Sequence, residues 1–154
     1  MKKLCRFTML CLALAAFSGA EQPNRAPGEP RRRFRFEALE VTIDTAGQPL
    51  AAYQFELMAT RGDVKIVGIE GGGSPAFAAP PYYDPAALQN RRIIIAALAT
   101  GDDLPAGRTR VARLHMHVEG DAEPDYAIRL HVAAAPGGQR IPAIISIEGK
   151  GGPQ

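Results

Sequence analysis

From residue 34 onward, apolar and polar positions alternate in short runs. The stretch "AAYQFELMA" (51–59) sets Ala51, Tyr53, Phe55, Leu57 and Ala59 against Ala52, Gln54, Glu56 and Met58. A strand sends successive side chains to opposite faces, so this period of two predicts a strand with one buried face. "FRFEALEVTID" repeats the pattern, with Leu39, Val41 and Ile43 inward and Glu40, Thr42 and Asp44 outward. "VARLHMHVE" places Ala112, Leu114, Met116 and Val118 inward, and "YAIRLHVAA" places Tyr126, Ile128, Leu130 and Val132 there. "IPAIISIE" closes the series with Ile145 and Ile147. "DVKIVGIE" is a β-branched run stopped by Gly71, Gly72 and Gly73, whereas "RRIIIAALA" does not alternate, which predicts a strand covered on both sides.

Between these runs "TAGQP", "GDDLPAG" and "PGG" read as turns. The one long irregular segment, "AAPPYYDPAALQN", holds a "DPAAL" suited to a short helical turn. No stretch from 34 to 148 carries a convincing helical period. Seven or so short strands, punctuated by Gly, Pro and Asp and sharing no repeated sequence, predict one all-β domain built as an antiparallel β-sandwich or barrel.

The first twenty residues change how the composition is read. Lys2, Lys3 and Arg6, an apolar run over 9–17 and the small residues Ser18, Gly19 and Ala20 have the layout of a secretory signal cleaved after Ala20. The apolar run is far short of the ~20 residues needed to cross a bilayer. Export to the periplasm or the medium follows, with no membrane span after cleavage. The formal charge of +2 then falls to −1, because three basic residues leave with the signal. The basic balance belongs to the precursor and gives no reason to expect a nucleic-acid partner. Cys5 and Cys11 leave as well, so the exported chain of about 134 residues has no disulfide and rests on a hydrophobic core. Residues 21–33, "EQPNRAPGEPRRR", have three prolines and no apolar period and read as a disordered tether; 149–154 read as a flexible tail. The basic run over 31–35 suits a solvated lead-in, or an acidic partner.

"VTIDTAGQPLAAYQFELMATRGDVKIVGIEGG" followed, after a gap, by "RRIIIAALATGDDLPAGRTRVARLHMHVEG" resembles the cohesin family. The likeness lies in the order and spacing of an "A-A-[FY]-Q-F-x-L" strand, a "V-x-I-V-G-V"-like strand, a buried strand and a late "L-A-x-L-x-F-x-V" strand. "HVAAAPGGQRIPAIIS" is similar to the family's closing stretch. The resemblance runs from about Leu39 to Ile147. It implies a nine-strand jelly-roll sandwich and a non-catalytic role: binding a dockerin-like protein partner in extracellular scaffolds that degrade polysaccharides. The chain is shorter than most cohesins and stands alone behind its signal, so the resemblance bears on fold more than on function.

By the same resemblance the partner-binding sheet contains 51–59, 92–98 and 126–133, and Gln54, Glu56, Arg129 and His131 point outward from it. Antiparallel sheets also commonly present a solvated polar face with no partner. An alternative is direct carbohydrate binding through Tyr82 and Tyr83, whose rings suit stacking on sugars, although the chain has no Trp, the largest such platform. A structural envelope protein without a specific ligand is the remaining reading. His115 and His117 share a strand face and His131 lies on the next strand, a set that suits a transition metal only if the two strands form a hairpin. Arg113 on the same face opposes a cation, and a jelly-roll would put the two strands in opposite sheets, so no metal or cofactor is expected. Asp102 and Asp103 read as a turn. The sequence carries no G-x-S-x-G, no H-E-x-x-H and no phosphate loop before a helix, and no enzymatic activity is expected.

Overall fold

The computed structural model describes residues 33–148; the signal, nearly all of the tether and the tail expected from the sequence lie outside the described residues. Eight strands run in chain order: β1 Phe34–Pro49, β2 Ala52–Arg61, β3 Asp63–Gly71, β4 Tyr82–Tyr83, β5 Arg92–Leu98, β6 Ala106–Glu119, β7 Asp125–Ala134 and β8 Ile144–Glu148. They form two four-stranded antiparallel sheets. Sheet 1 has the order β3-β6-β1-β8 and sheet 2 the order β4-β5-β2-β7. The chain changes sheet at every connection except β4 to β5. The result is an antiparallel β-sandwich with jelly-roll topology, with eight strands among the described residues where the cohesin pattern implies nine. No helix among them is long and apolar enough to cross a membrane.

The period-two residues meet between the sheets. Leu39, Val41 and Ile43 of β1 and Leu114, Met116 and Val118 of β6 pack against Tyr53, Phe55 and Leu57 of β2 and Ile93 and Ile95 of β5, all buried. Tyr53 stacks on Phe55 with ring centroids 5.9 Å apart, and its hydroxyl donates to the Val111 carbonyl across the core at 2.9 Å. That bond gives the buried phenol the partner it needs. Burial also holds the Tyr53 ionisation well above the ordinary tyrosine range.

Three local expectations are corrected. Val132 does not point inward: β7 pairs Leu130 with Phe55 but Val132 with Gln54, so a bulge inserts His131 and shifts the alternation. A bulge puts two residues opposite one, and here Ala133 takes the core position that Val132 was expected to fill. β5 is not covered on both sides; Ile93 and Ile95 are buried while Ile94 and Leu98 are exposed. "TAGQP" turns the chain within the span of β1 rather than after it. Ala46 and Gly47 have positive φ, Asp44 Oδ1 accepts from the Ala46 N–H, and the β1–β6 register shifts between Asp44 and Pro49. The side chain of Thr45 closes this bend, donating to Gln48 O at 2.6 Å and accepting from Gly107 N at 2.9 Å.

The glycine run ending β3 is a packing feature. A Cβ on Gly71 would run into the Ala78 carbonyl, and one on Gly72 into the Arg110 carbonyl. The chain then makes one 3-10 turn, Pro75–Phe77, that drops Phe77 into the core, and a second, Pro85–Ala87, where "DPAAL" predicted a helical turn. Asp84 caps the second turn by accepting from Ala86 N at 2.9 Å. These turns hold the two-residue edge strand β4 against β5.

Candidate functional site

The two outer faces differ in how their charges are used. On sheet 1, Glu40 binds Arg110 and Arg113, Glu70 binds His115 at 2.8 Å, Lys65 binds Glu119 at 2.9 Å, and Arg108 binds Glu148. This face is a ladder of internally paired charges. At its end Phe34 and Phe36 point outward and pack on the His117 ring, each with centroids 5.3 Å from it. Sequence alternation places these two phenylalanines opposite Arg35 and Glu37, and it is the charged pair that turns inward. Glu37 is only 8 % exposed and is held by Arg35 at 2.7 Å and the Tyr126 hydroxyl at 3.5 Å. Burial, then the neighbouring Glu37 charge, keeps Tyr126 protonated well above the usual range.

Sheet 2 carries the residues expected to bind a partner, and Gln54, Glu56, Arg129 and His131 all lie on its outer face. Strand register assembles them in rows. Ile94, Glu56 and Arg129 form one row across β5, β2 and β7, and Tyr82, Ala96, Gln54 and Val132 form the next. Glu56 is the hub. Arg92 donates to it through Nε at 2.6 Å, and His131 Nε2 lies 3.3 Å from its other oxygen. His131 follows the inward Leu130 and so faces outward by simple alternation; the bulge after it changes the phase only of Val132 and Ala133. Arg129, though in register with Glu56, makes no hydrogen bond or ion pair to another described residue, and neither does the Gln54 amide.

The face is more apolar than its sequence suggests. Seven large apolar side chains are exposed among the described residues, and four of them, Met58, Tyr82, Ile94 and Leu98, stand on this one face. Tyr82 is 78 % exposed and Leu98 66 %. Tyr83, proposed with Tyr82 for stacking, turns the other way and packs against the core. Sequence reasoning placed Ile94 and Leu98 inside, and it did not find Arg92, which reaches Glu56 only through the β2–β5 register.

His115 and His117 lie on the outer face of sheet 1 and His131 on that of sheet 2, so the three histidines are on opposite sides of the sandwich. Among the described residues no three His, Cys, Asp or Glu side chains come together in a geometry that holds a metal ion.

The hydrogen bond from Arg92, opposed by partial desolvation and aided by His131, keeps the Glu56 carboxyl below the usual carboxylate range. A lowered folded-state pKa stabilises the fold above the unfolded glutamate value, about 4.3, and that contribution is lost as pH falls through the folded value. Arg92→Ala is expected to raise the Glu56 midpoint towards the ordinary value in a carboxyl NMR titration. An unchanged midpoint would contradict the pairing.

Comparison of the chain with protein-family models, curated proteins and solved structures found no match.

Proposed function

We propose that this protein is an exported, non-catalytic binding module that docks a protein partner on the outer face of sheet 2. One observation carries the reading. Exposed apolar side chains collect on this face around a free guanidinium, Arg129, and an unspent amide, Gln54, while the charges of the opposite face are answered among themselves. Interfaces bury an apolar centre within a polar rim and are enriched in aromatic residues and Arg. Met58, Ile94, Leu98 and Tyr82 supply apolar contact area, set around a polar group of Gln54, Glu56, Arg92, Arg129 and His131. The resemblance to cohesins adds the kind of partner: a dockerin-like module of another exported protein, in an assembly that handles polysaccharide. A sheet face of this kind needs no cofactor to bind.

The test is affinity capture. The chain from Glu21 onward is immobilised, exposed to the secreted and periplasmic proteins of the source cells, and compared with a Gln54→Arg/Glu56→Arg variant. The reading expects a protein retained by the wild type and lost by the variant. Retention of nothing, or equal retention by both, contradicts it.

A further inference from the structure

We propose that the recess between β4 and β5, at the edge of the sheet 2 outer face, is a saccharide subsite that takes a pyranose ring of a neutral oligosaccharide. The recess is an open surface depression of about 460 Å³, comparable in volume to small-ligand sites, roughly 300–1,000 Å³. Its floor is apolar, made by Ile94 and Ala96. Its wall is the Tyr82 ring, in register with Ala96 and held upright by an edge strand that the Asp84 cap and the Pro85–Ala87 turn fix in place.

The rim holds polar atoms that have no partner among the described residues. The Gln54 amide and the Tyr82 hydroxyl make no hydrogen bond to another described residue. Arg92 spends only Nε on Glu56, which leaves its two terminal nitrogens. Asp84 spends Oδ1 on Ala86 N, which leaves its second oxygen. An amide, a guanidinium, a carboxylate and a phenol therefore converge on one recess, offering donors and acceptors side by side.

A pyranose matches that arrangement on both sides. Its C–H face is apolar and stacks on an aromatic ring, whose amphipathic character suits a ligand with one apolar and one wet side. Its hydroxyls each donate and accept, as the mixed rim requires. A simple anion fits less well, because Glu56 already answers the Arg92 charge and the Asp84 carboxylate stands on the rim. A purely apolar ligand would leave the rim groups desolvated and unpaired, which is costly. The Phe34 and Phe36 rings of sheet 1 offer no equivalent, since they meet edge to face at 78° and have no polar rim of unspent groups beside them.

This inference does not rest on the protein-partner reading, although Gln54, Tyr82, Arg92 and Ile94 serve both. The test is a backbone amide NMR titration of the chain from Glu21 onward with cellohexaose, xylohexaose, mannohexaose and chitohexaose, each alone. At least one is expected to shift the amides of Tyr82, Gln54, Arg92 and Ala96. Tyr82→Ala and Gln54→Ala are each expected to weaken that binding at least tenfold, and Ile144→Ala, exposed on the outer face of sheet 1, to leave it unchanged. Tyr82 is exposed, so its loss leaves the fold intact, which the same spectra report. Absence of shifts with all four sugars overturns the subsite, as do shifts that persist unchanged in Tyr82→Ala. If Tyr82→Ala instead releases a captured protein while no sugar binds, the recess belongs to the protein interface and the saccharide assignment falls. Sugar binding with no captured protein leaves the subsite standing and removes the protein-partner reading.

Discussion

Phe55→Ala is expected to lower the unfolding free energy by about 3–5 kcal/mol, and Gln54→Ala, one position earlier on the same strand, by less than about 0.5 kcal/mol. Phe55 is fully buried, stacks on Tyr53, and lies between Ile95 and Leu130 of the flanking strands. Truncating it removes a large apolar side chain from water-free packing and leaves a cavity that rigid strands on both sides fill poorly. Gln54 faces outward and makes no bond within the protein, so its loss exposes little and orphans nothing. Against a total stability of roughly 5–15 kcal/mol for a domain, the first change is large and the second negligible. Urea unfolding curves for the two variants measure this directly. Equal losses would mean that β2 has been assigned to the wrong faces.

The largest functional effect is expected from Gln54→Arg/Glu56→Arg, with loss of partner affinity of at least about thirtyfold, the lower end of what breaking a buried interfacial charge pair costs. Glu56 is the anion among Arg92, His131 and the free Arg129. Replacing it and Gln54 by Arg sets five basic side chains side by side with no acid among them. Such a patch repels the partner surface that had matched the original face and crowds the exposed side chains of Ile94 and Met58. The fold is expected to tolerate the change, because the Arg92–Glu56 pair lies at the surface, with Arg92 more than half exposed and Glu56 partly so, and surface pairs contribute little to stability. An unfolding midpoint close to that of the wild type therefore accompanies the lost binding. A variant that binds as the wild type does would place the docking surface elsewhere.

Strand positions were legible in the sequence wherever one face of a strand is buried. Leu39 to Ile43, Ala51 to Ala59 and Leu114 to Val118 alternate because the pleat alternates, and their inward apolar members are all buried; Thr42, expected on the solvated side, is buried as well, beside a register shift between β1 and β6. The failures have physical causes that a period of two does not carry. One inserted residue at His131 reverses the phase of β7, so Val132 and Ala133 exchange roles. The run Ile93, Ile94, Ile95 is equally apolar on both faces, and its residue types do not say that one face meets the core and the other solvent. Phe34 and Phe36 point outward because the alternate positions, Arg35 and Glu37, satisfy each other at the rim with help from Tyr126. Tyr82 and Tyr83 are the same residue in neighbouring positions, and only strand alternation separates the exposed ring from the packed one.

The proposed docking face was legible as a set of residues and illegible as an arrangement. Gln54, Glu56, Arg129 and His131 were placed on one face through the cohesin resemblance, and they lie on one face. What the sequence did not disclose is that Arg92, 36 positions from Glu56 in the chain, completes the charge cluster. It also did not disclose that Ile94 and Leu98 stand exposed on this face. Both depend on the register between β2 and β5, which is set by pairing across the sheet and has no local signature.

Photo-crosslinking from the two outer faces tests the central claim most directly. A photoreactive side chain is placed at position 129, on the outer face of sheet 2, and in a second protein at position 144, where Ile144 is 74 % exposed on the outer face of sheet 1. Each is irradiated with the exported proteins of the source cells. The account predicts a discrete adduct from position 129 and none from position 144. An adduct from 144 alone, or none from either, would contradict a docking face on sheet 2.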